Sequence, residues 1–349
     1  MELSQRARIR AGDRASFGAV FDEHASAVHR YAVRVTGDWA GAEDVVSVTF
    51  LEAWRLRGRL RPDGGSVLPW LYGIATNVLR NRARSARRHT AAGTPDPAHH
   101  RAAPTSTGVP GLTGDETAPQ LLGKVALASA AGHTVPARAD QYVYVRSTVA
   151  FASYPEGGGG KAKVDRPHQR QVWLSVDGTH PGRLTERGEN TTLDPVPTPT
   201  VHMPTYAYLR TLPTDPDHLL ALVHADYDAT PSGPGRDAEA FVAIGDLLRE
   251  SLVPPTLAAG LYRAAAKIPG VTVVRTATDA AGRTGVAVAM ADPKAGSRTE
   301  WIFDRGTLGF LGERTVQVAS GDAFPPGTVT GSSAVTDRAV VDRPGRLPR

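Results

Sequence analysis

The 349-residue chain contains no cysteine. Disulfides, cysteine-ligated zinc, iron–sulfur clusters and thiol nucleophiles are thereby excluded together. Long apolar runs are also lacking. The longest, 125–131 and 286–291, fall far short of the roughly 20 residues that a membrane helix needs, and no charged-then-apolar signal segment opens the chain. The expectation is a soluble, cytoplasmic protein with no membrane insertion. Lysine is scarce, five residues against 35 arginines, a bias that a GC-rich genome produces.

That bias explains arginine over lysine but not where the charge sits. Residues 1–90 carry 15 of the 40 basic residues and nine of the 35 acidic ones, a net of +6, which leaves −1 for the rest of a chain of net charge +5. A positive segment joined to a neutral one suggests that only the first part meets a polyanion. The length itself suits two domains at roughly 100–200 residues each.

The pattern of apolar residues divides the chain in the same place. Phe17, Phe21, Val28, Tyr31 and Val35 follow helical spacing over 15–36, and Thr36-Gly37-Asp38 reads as a stop. A second helix over 40–57 carries Val45, Val48 and Leu51 on one ridge and Val46, Phe50 and Trp54 on the next. After the loop at Pro62-Asp63-Gly64-Gly65, Ser66 is a plausible cap and Pro69 falls in the first turn, where its missing N–H costs little. Val67, Leu71, Ile74 and Val78 then form one apolar stripe.

Residues 1–88 are thus expected to be an all-α helical bundle. Residues 89–118, rich in Pro, Gly, Thr, Ala and His, read as a flexible linker. Residues 119–320 read as an α+β domain with an antiparallel sheet. Its strands are expected at 141–152, 170–177, 271–278, 285–291, 300–303 and 309–318, and its helices at 217–228, 237–251 and 255–266. Residues 321–349 are expected to be a loose tail.

Two words carry specific information: Ala42-Glu43-Asp44-Val45-Val46-Ser47-Val48-Thr49-Phe50-Leu51-Glu52-Ala53-Trp54-Arg55, and Pro69-Trp70-Leu71-Tyr72-Gly73-Ile74-Ala75-Thr76-Asn77-Val78-Leu79-Arg80-Asn81-Arg82-Ala83-Arg84. With Phe21-Asp22-Glu23-His24 before them, they resemble region two of the extracytoplasmic-function group of sigma-70 type RNA polymerase sigma factors, over about 15–88. The resemblance implies that the helix of Asp44, Ser47, Val48, Phe50 and Trp54 docks on a coiled coil in the largest subunit of core RNA polymerase. Family members commonly carry Gln and then an acidic residue where this chain has Ser47 and Val48, which weakens the polar part of that surface.

The resemblance also implies that Asn77 reads a base flipped from the non-template strand of the promoter −10 element. A carboxamide can hydrogen-bond a base edge bidentately. Arg80, Arg84, Arg87 and Arg88, with Arg82 beside them, lie along neighbouring faces of the same helix and suit phosphate contacts. The plainer readings stand beside these. Phe50, Leu51, Trp54, Trp70 and Leu71 are apolar at helical spacing and such residues normally face inward, while an Arg-rich helix end is commonly a solvated face.

After Arg88 no helix-turn-helix of the region-four kind is found. Instead Tyr142-Val143-Tyr144, Trp173-Leu174-Ser175-Val176-Asp177-Gly178, Ala266-Lys267-Ile268-Pro269-Gly270-Val271, Asp279-Ala280-Ala281-Gly282-Arg283 and Trp301-Ile302-Phe303-Asp304 resemble an actinobacterial family of usually membrane-anchored proteins encoded beside such sigma factors, over about 118–318. A fusion of neighbouring genes would account for that arrangement.

No catalytic word is present: no Gly-x-Ser-x-Gly, no His-Glu-x-x-His, no Gly-x-x-x-x-Gly-Lys. Gly157–Gly160 reads as a hairpin tip, His99-His100 as a solvated pair, and Asp177 and Asp304 as turn residues. No cofactor, metal site or enzymatic activity is expected. The function expected is transcription initiation with core polymerase and promoter DNA as partners and an anti-sigma factor as a further one. The alternatives are a non-initiating regulator, acting as a decoy with a C-terminal sensory domain, and a non-functional fusion remnant.

Overall fold

The computed structural model describes residues 4–36, 39–60, 67–68, 70–75, 78–79, 116–153, 163–196, 198–201, 203–228, 236–293, 296–319 and 324–348. The N-terminal part is helical as expected. A short helix α1 (Gln5–Arg10) precedes α2 (Arg14–Thr36) and α3 (Trp39–Leu56), and residues 70–75 and 78–79 are helical again. Asp13 begins α2 by accepting from the backbone N–H of Ala15 and from the Ser16 hydroxyl at 3.0 and 2.7 Å. These bonds hold its carboxyl below the usual range, the Ser16 hydroxyl most of all. The apolar stripe of the third helix is buried as its spacing requires: Val67, Leu71, Ile74 and Val78 all face a core that Val20, Val28 and Val45 share.

The second part is built on ten antiparallel strands among the described residues. They are β1 (Tyr142–Ser153), β2 (Lys163–Val164), β3 (His168–Ser175), β4 (Gly182–Glu186), β5 (Glu189–Leu193), β6 (Thr272–Thr278), β7 (Thr284–Asp292), β8 (Ser297–Phe303), β9 (Phe310–Gln317) and β10 (Val329–Val341). Their order is β5-β4-β3-β1-β10-β9-β8-β7-β6, with β2 paired to β1. The helices are α4 (Ala118–Ala130), α5 (Tyr206–Leu209), α6 (Pro216–Asp228), α7 (Arg236–Glu250) and α8 (Pro255–Ala266).

Period-two alternation seats the helices on one face of the sheet. Val286 and Val288 of β7 and Trp301 and Phe303 of β8 belong to a core with Phe241 of α7 and Leu261 of α8, whereas Ala287 and Ile302 between them join a separate cluster. Phe241 and Trp301 stack with ring centroids 3.8 Å apart and planes at 8°. The Glu300 carboxylate, fully buried, takes Arg298 on one oxygen at 2.5 Å and Arg314 on the other at 2.8 Å. A buried carboxylate needs such partners.

Three elements depart from expectation. Residues expected to be a loose tail form β10, which lies at the middle of the sheet between β1 and β9. Its residues Thr330, Ser332 and Ser333 are polar yet buried, and the Ser333 hydroxyl accepts from the Glu313 N–H at 3.2 Å. Two neighbouring strands satisfy the backbone, so the segment needs little apolar character of its own. The β4–β5 hairpin was not apparent because its turn is Arg187-Gly188, both at positive φ (53° and 85°), rather than the usual Asn-Gly. α4 opens where the linker was expected to end, with Pro119 in its first turn and the Gln120 amide oxygen accepting from the Thr117 N–H at 2.9 Å. The expected Gly157–Gly160 hairpin tip and the linker up to residue 115 lie outside the described residues.

The expected turns are present. Asp304 accepts from the N–H groups of Gly306 and Thr307 at 2.9 and 2.7 Å, and Asp177 from that of Thr179 at 2.9 Å. Among the described residues no helix is long and apolar enough to cross a membrane, and no group of three or more metal-ligating side chains assembles.

Candidate functional site

α3 presents two unlike sides. Ala42, Val45, Val46, Thr49, Phe50 and Ala53 are buried, while Glu43, Asp44, Ser47, Val48, Leu51 and Arg55 are exposed. Asp44, Val48, Leu51 and Arg55 follow one another at intervals of four, three and four, so they form one outward stripe along the helix. Val48 is 43% exposed and Leu51 51%, with Phe21 of the neighbouring α2 at 43%. These are three large apolar side chains exposed on adjoining helices, and Val48 and Leu51 make the outward stripe of α3 a candidate contact surface.

Of the residues expected to dock a polymerase, Asp44, Ser47 and Val48 lie on the outer side of α3. Ser47 turns its hydroxyl back to donate to the Glu43 carbonyl at 3.2 Å. Phe50 does not belong to the surface: it is 4% exposed and packs edge-on against Phe21, ring centroids 4.8 Å apart. Its role is to hold α2 against α3. Trp54 is half-buried, 5.1 Å from the Phe17 ring and with the Arg57 guanidinium 4.5 Å above its own.

Leu51 is the reverse case, expected inside and found outside. The helix has more apolar ridges than one core can take. Ala42, Val45, Val46, Thr49, Phe50 and Ala53 already make up the buried side, so the apolar residues at 48 and 51 fall on the side turned to solvent. Side-chain size does not separate the two sides, because Val45, Val46 and Phe50 are buried while Val48 and Leu51 are exposed.

Trp70 is partly buried and packs against the helical core rather than standing clear of it. Asn77, Arg80, Arg82, Arg84, Arg87 and Arg88 lie outside the described residues.

One titratable group is built into this core. His24 of α2 is buried, and loss of solvent pushes its imidazole below its ordinary value of 6.5 against the opposing pull of Glu23, 3.6 Å away. The unfolded chain takes up this proton more readily than the folded one. Stability contributed here is therefore complete above 6.5 and falls as the pH drops below it. Thermal unfolding of the full chain followed from about pH 8 to 5 should show an acid-side loss that His24→Gln reduces; an identical pH profile in the variant would contradict the assignment.

Comparison with known proteins places these helices. Sigma-70 region 2 matches residues 20–89. ECF RNA polymerase sigma factor SigL of Mycobacterium tuberculosis is 40% identical over 86 residues, 25% of this chain and 49% of that protein. ECF RNA polymerase sigma factor BldN of Streptomyces coelicolor is 38% identical over 87 residues, 25% of this chain and 32% of that protein. RNA polymerase sigma factor CarQ of Myxococcus xanthus is 39% identical over 80 residues, 23% of this chain and 45% of that protein. The chain thus spans about half the length, or less, of the curated relatives it matches. No solved structure matches it. The family match stops at residue 89 and lends no support to the resemblance expected over 118–318. What is shown is a sigma-70 region 2 at residues 20–89, similar to that of extracytoplasmic-function sigma factors, and it carries the exposed stripe of α3.

Proposed function

We propose that this chain is a sigma-factor-like transcription initiation protein. Region two docks core RNA polymerase through the outer stripe of α3, on the coiled coil of the largest subunit, and residues 77–88 engage the non-template strand of the −10 element in the cytoplasm. The observation that carries the reading is the exposed Val48–Leu51 stripe within the segment that matches region two. The arginines at 80, 84, 87 and 88 would follow phosphates and make the complex strongly salt-dependent, while Asn77 would read the flipped base. An anti-sigma factor would compete for the same face of α3. Chemistry is left to the polymerase, so the chain itself acts by binding and not as an enzyme.

Run-off transcription with core polymerase and the full chain tests this. Promoter-dependent product is expected, and Asn77→Ala should lower opening by roughly tenfold, about 1–3 kcal/mol for one bidentate base contact, with binding to core unchanged. Equal opening by that variant on every promoter tried would remove Asn77 as the base reader.

A second reading is favoured by the sheet domain at 142–341. A region two joined to a binding or sensory module would serve as a regulator that holds polymerase or an anti-sigma factor without initiating. Core binding with no run-off product at any promoter would select it.

A further inference from the structure

The β4–β5 hairpin borders α2 and α3, the second of which is the proposed polymerase-docking helix. Leu184 of β4 and Leu193 of β5 share a face, because Leu184 pairs with Thr191 and Gly182 with Leu193. Both leucines are buried, and they belong to one continuous apolar cluster with Val20, Val28, Val46 and Phe50 of the N-terminal helices. A second observation places the same parts together. A groove of about 1030 Å³ is walled by α2 at Phe21, Ala25 and His29, by α3 at Glu43, Val46 and Ser47, and by β5 at residues 189–192.

β5 closes one end of the sheet among the described residues. An edge strand offers unpaired backbone groups and is commonly shielded by another element; here the helical domain lies beside it.

From this arrangement we infer that the C-terminal domain is an autoinhibitory cap on region two. Val48 and Leu51 remain open to water, yet Ser47, one residue away on α3, already faces β5 across the groove. A coiled coil that covered α3 from Ser47 to Leu51 would compete with residues 189–192 for the Ser47 side of the helix. Docking therefore requires the hairpin to move away. The groove leaves part of the seam open, so the contact that opposes the movement is confined to the cluster that Leu184 and Leu193 share with the helices. In the closed form the chain binds polymerase weakly, in proportion to the fraction that is open. A signal that draws the sheet domain off would raise that fraction. The proposal rests on the reading of α3 as the polymerase-docking helix.

The absence of native cysteine makes the test direct. In the full chain, Ala25→Cys with Thr191→Cys supplies two thiols, one on each wall of the groove and neither on α3. A short bismaleimide should join them within one molecule. The joined protein should bind core polymerase about tenfold more weakly than the same protein with each thiol blocked separately, as the open fraction is removed. Thr191→Arg, which crowds the groove, should bind more tightly than the native chain. Failure to form the intramolecular link, or equal binding by joined and blocked forms, overturns the cap and leaves the docking reading standing. If the blocked form and Thr191→Arg both fail to bind core polymerase at all, the docking reading falls and the cap with it.

Discussion

Leu51→Asp is expected to weaken association with core RNA polymerase by roughly thirtyfold or more, about 2 kcal/mol, the loss typical of a central apolar contact. Leu51 is half exposed on the outer stripe of α3 and contributes little to the helical core. The folded chain should therefore keep its helical circular dichroism and its unfolding temperature while losing the partner. Phe50→Ala provides the contrast. That ring is buried between α2 and α3 against Phe17 and Phe21, so its removal should lower stability first, by about 3–5 kcal/mol, and binding only as a consequence. Undiminished binding by Leu51→Asp would show that polymerase does not use this stripe.

Trp301→Ala should produce the largest loss of stability in the sheet domain, about 3–5 kcal/mol for a fully buried tryptophan. Trp301 is wholly enclosed, stacked on Phe241 and bordered by Gly245 of α7. A Cβ built on Gly245 would come within 2.5 Å of the Trp301 Nε1, so the absence of a side chain there is what allows α7 to lie close to the sheet. Truncation would leave a cavity that neither β8 nor α7 can close, because both are fixed by neighbours on either side. Urea denaturation followed by circular dichroism measures the loss. A change below about 1 kcal/mol would mean that the domain is not organised around the α7–β8 contact.

Most of the helical domain was legible because three amphipathic segments, separated by Gly- and Pro-containing loops, admit few alternatives. The spacing of Val67, Leu71, Ile74 and Val78 named the buried stripe of the third helix. On α3 the same reasoning met two competing ridges: it placed Phe50 inward, where it lies, and Leu51 inward, where it does not, while the resemblance had set Phe50 on the docking surface. What decides between ridges is which of them meets the neighbouring helices, and the ridge that does so carries Val46 and Phe50 together with Ala42, Thr49 and Ala53. In the sheet domain, strands rich in Val, Tyr and Trp announced themselves. β10 did not, because a strand paired on both sides can be stabilised by position, with Ser and Thr at its buried sites. The β4–β5 hairpin hid behind an Arg-Gly turn. The site was legible as family words but not as a surface, since exposure along α3 follows from packing.

The seam between β5 and the α2–α3 pair was not legible at all. It joins residues about 150 positions apart through side chains that, read locally, belong to two separate domains. No local pattern encodes such a contact.

Docking of polymerase on the outer stripe of α3 underlies both the proposed function and the cap. Titration of the fluorescently labelled full chain with core RNA polymerase tests it most directly, with the label on a single introduced cysteine remote from α3. Saturable binding that Leu51→Asp abolishes or greatly weakens is the predicted result. No binding by the native chain or by Thr191→Arg, or equal binding by the native chain and Leu51→Asp, would contradict it.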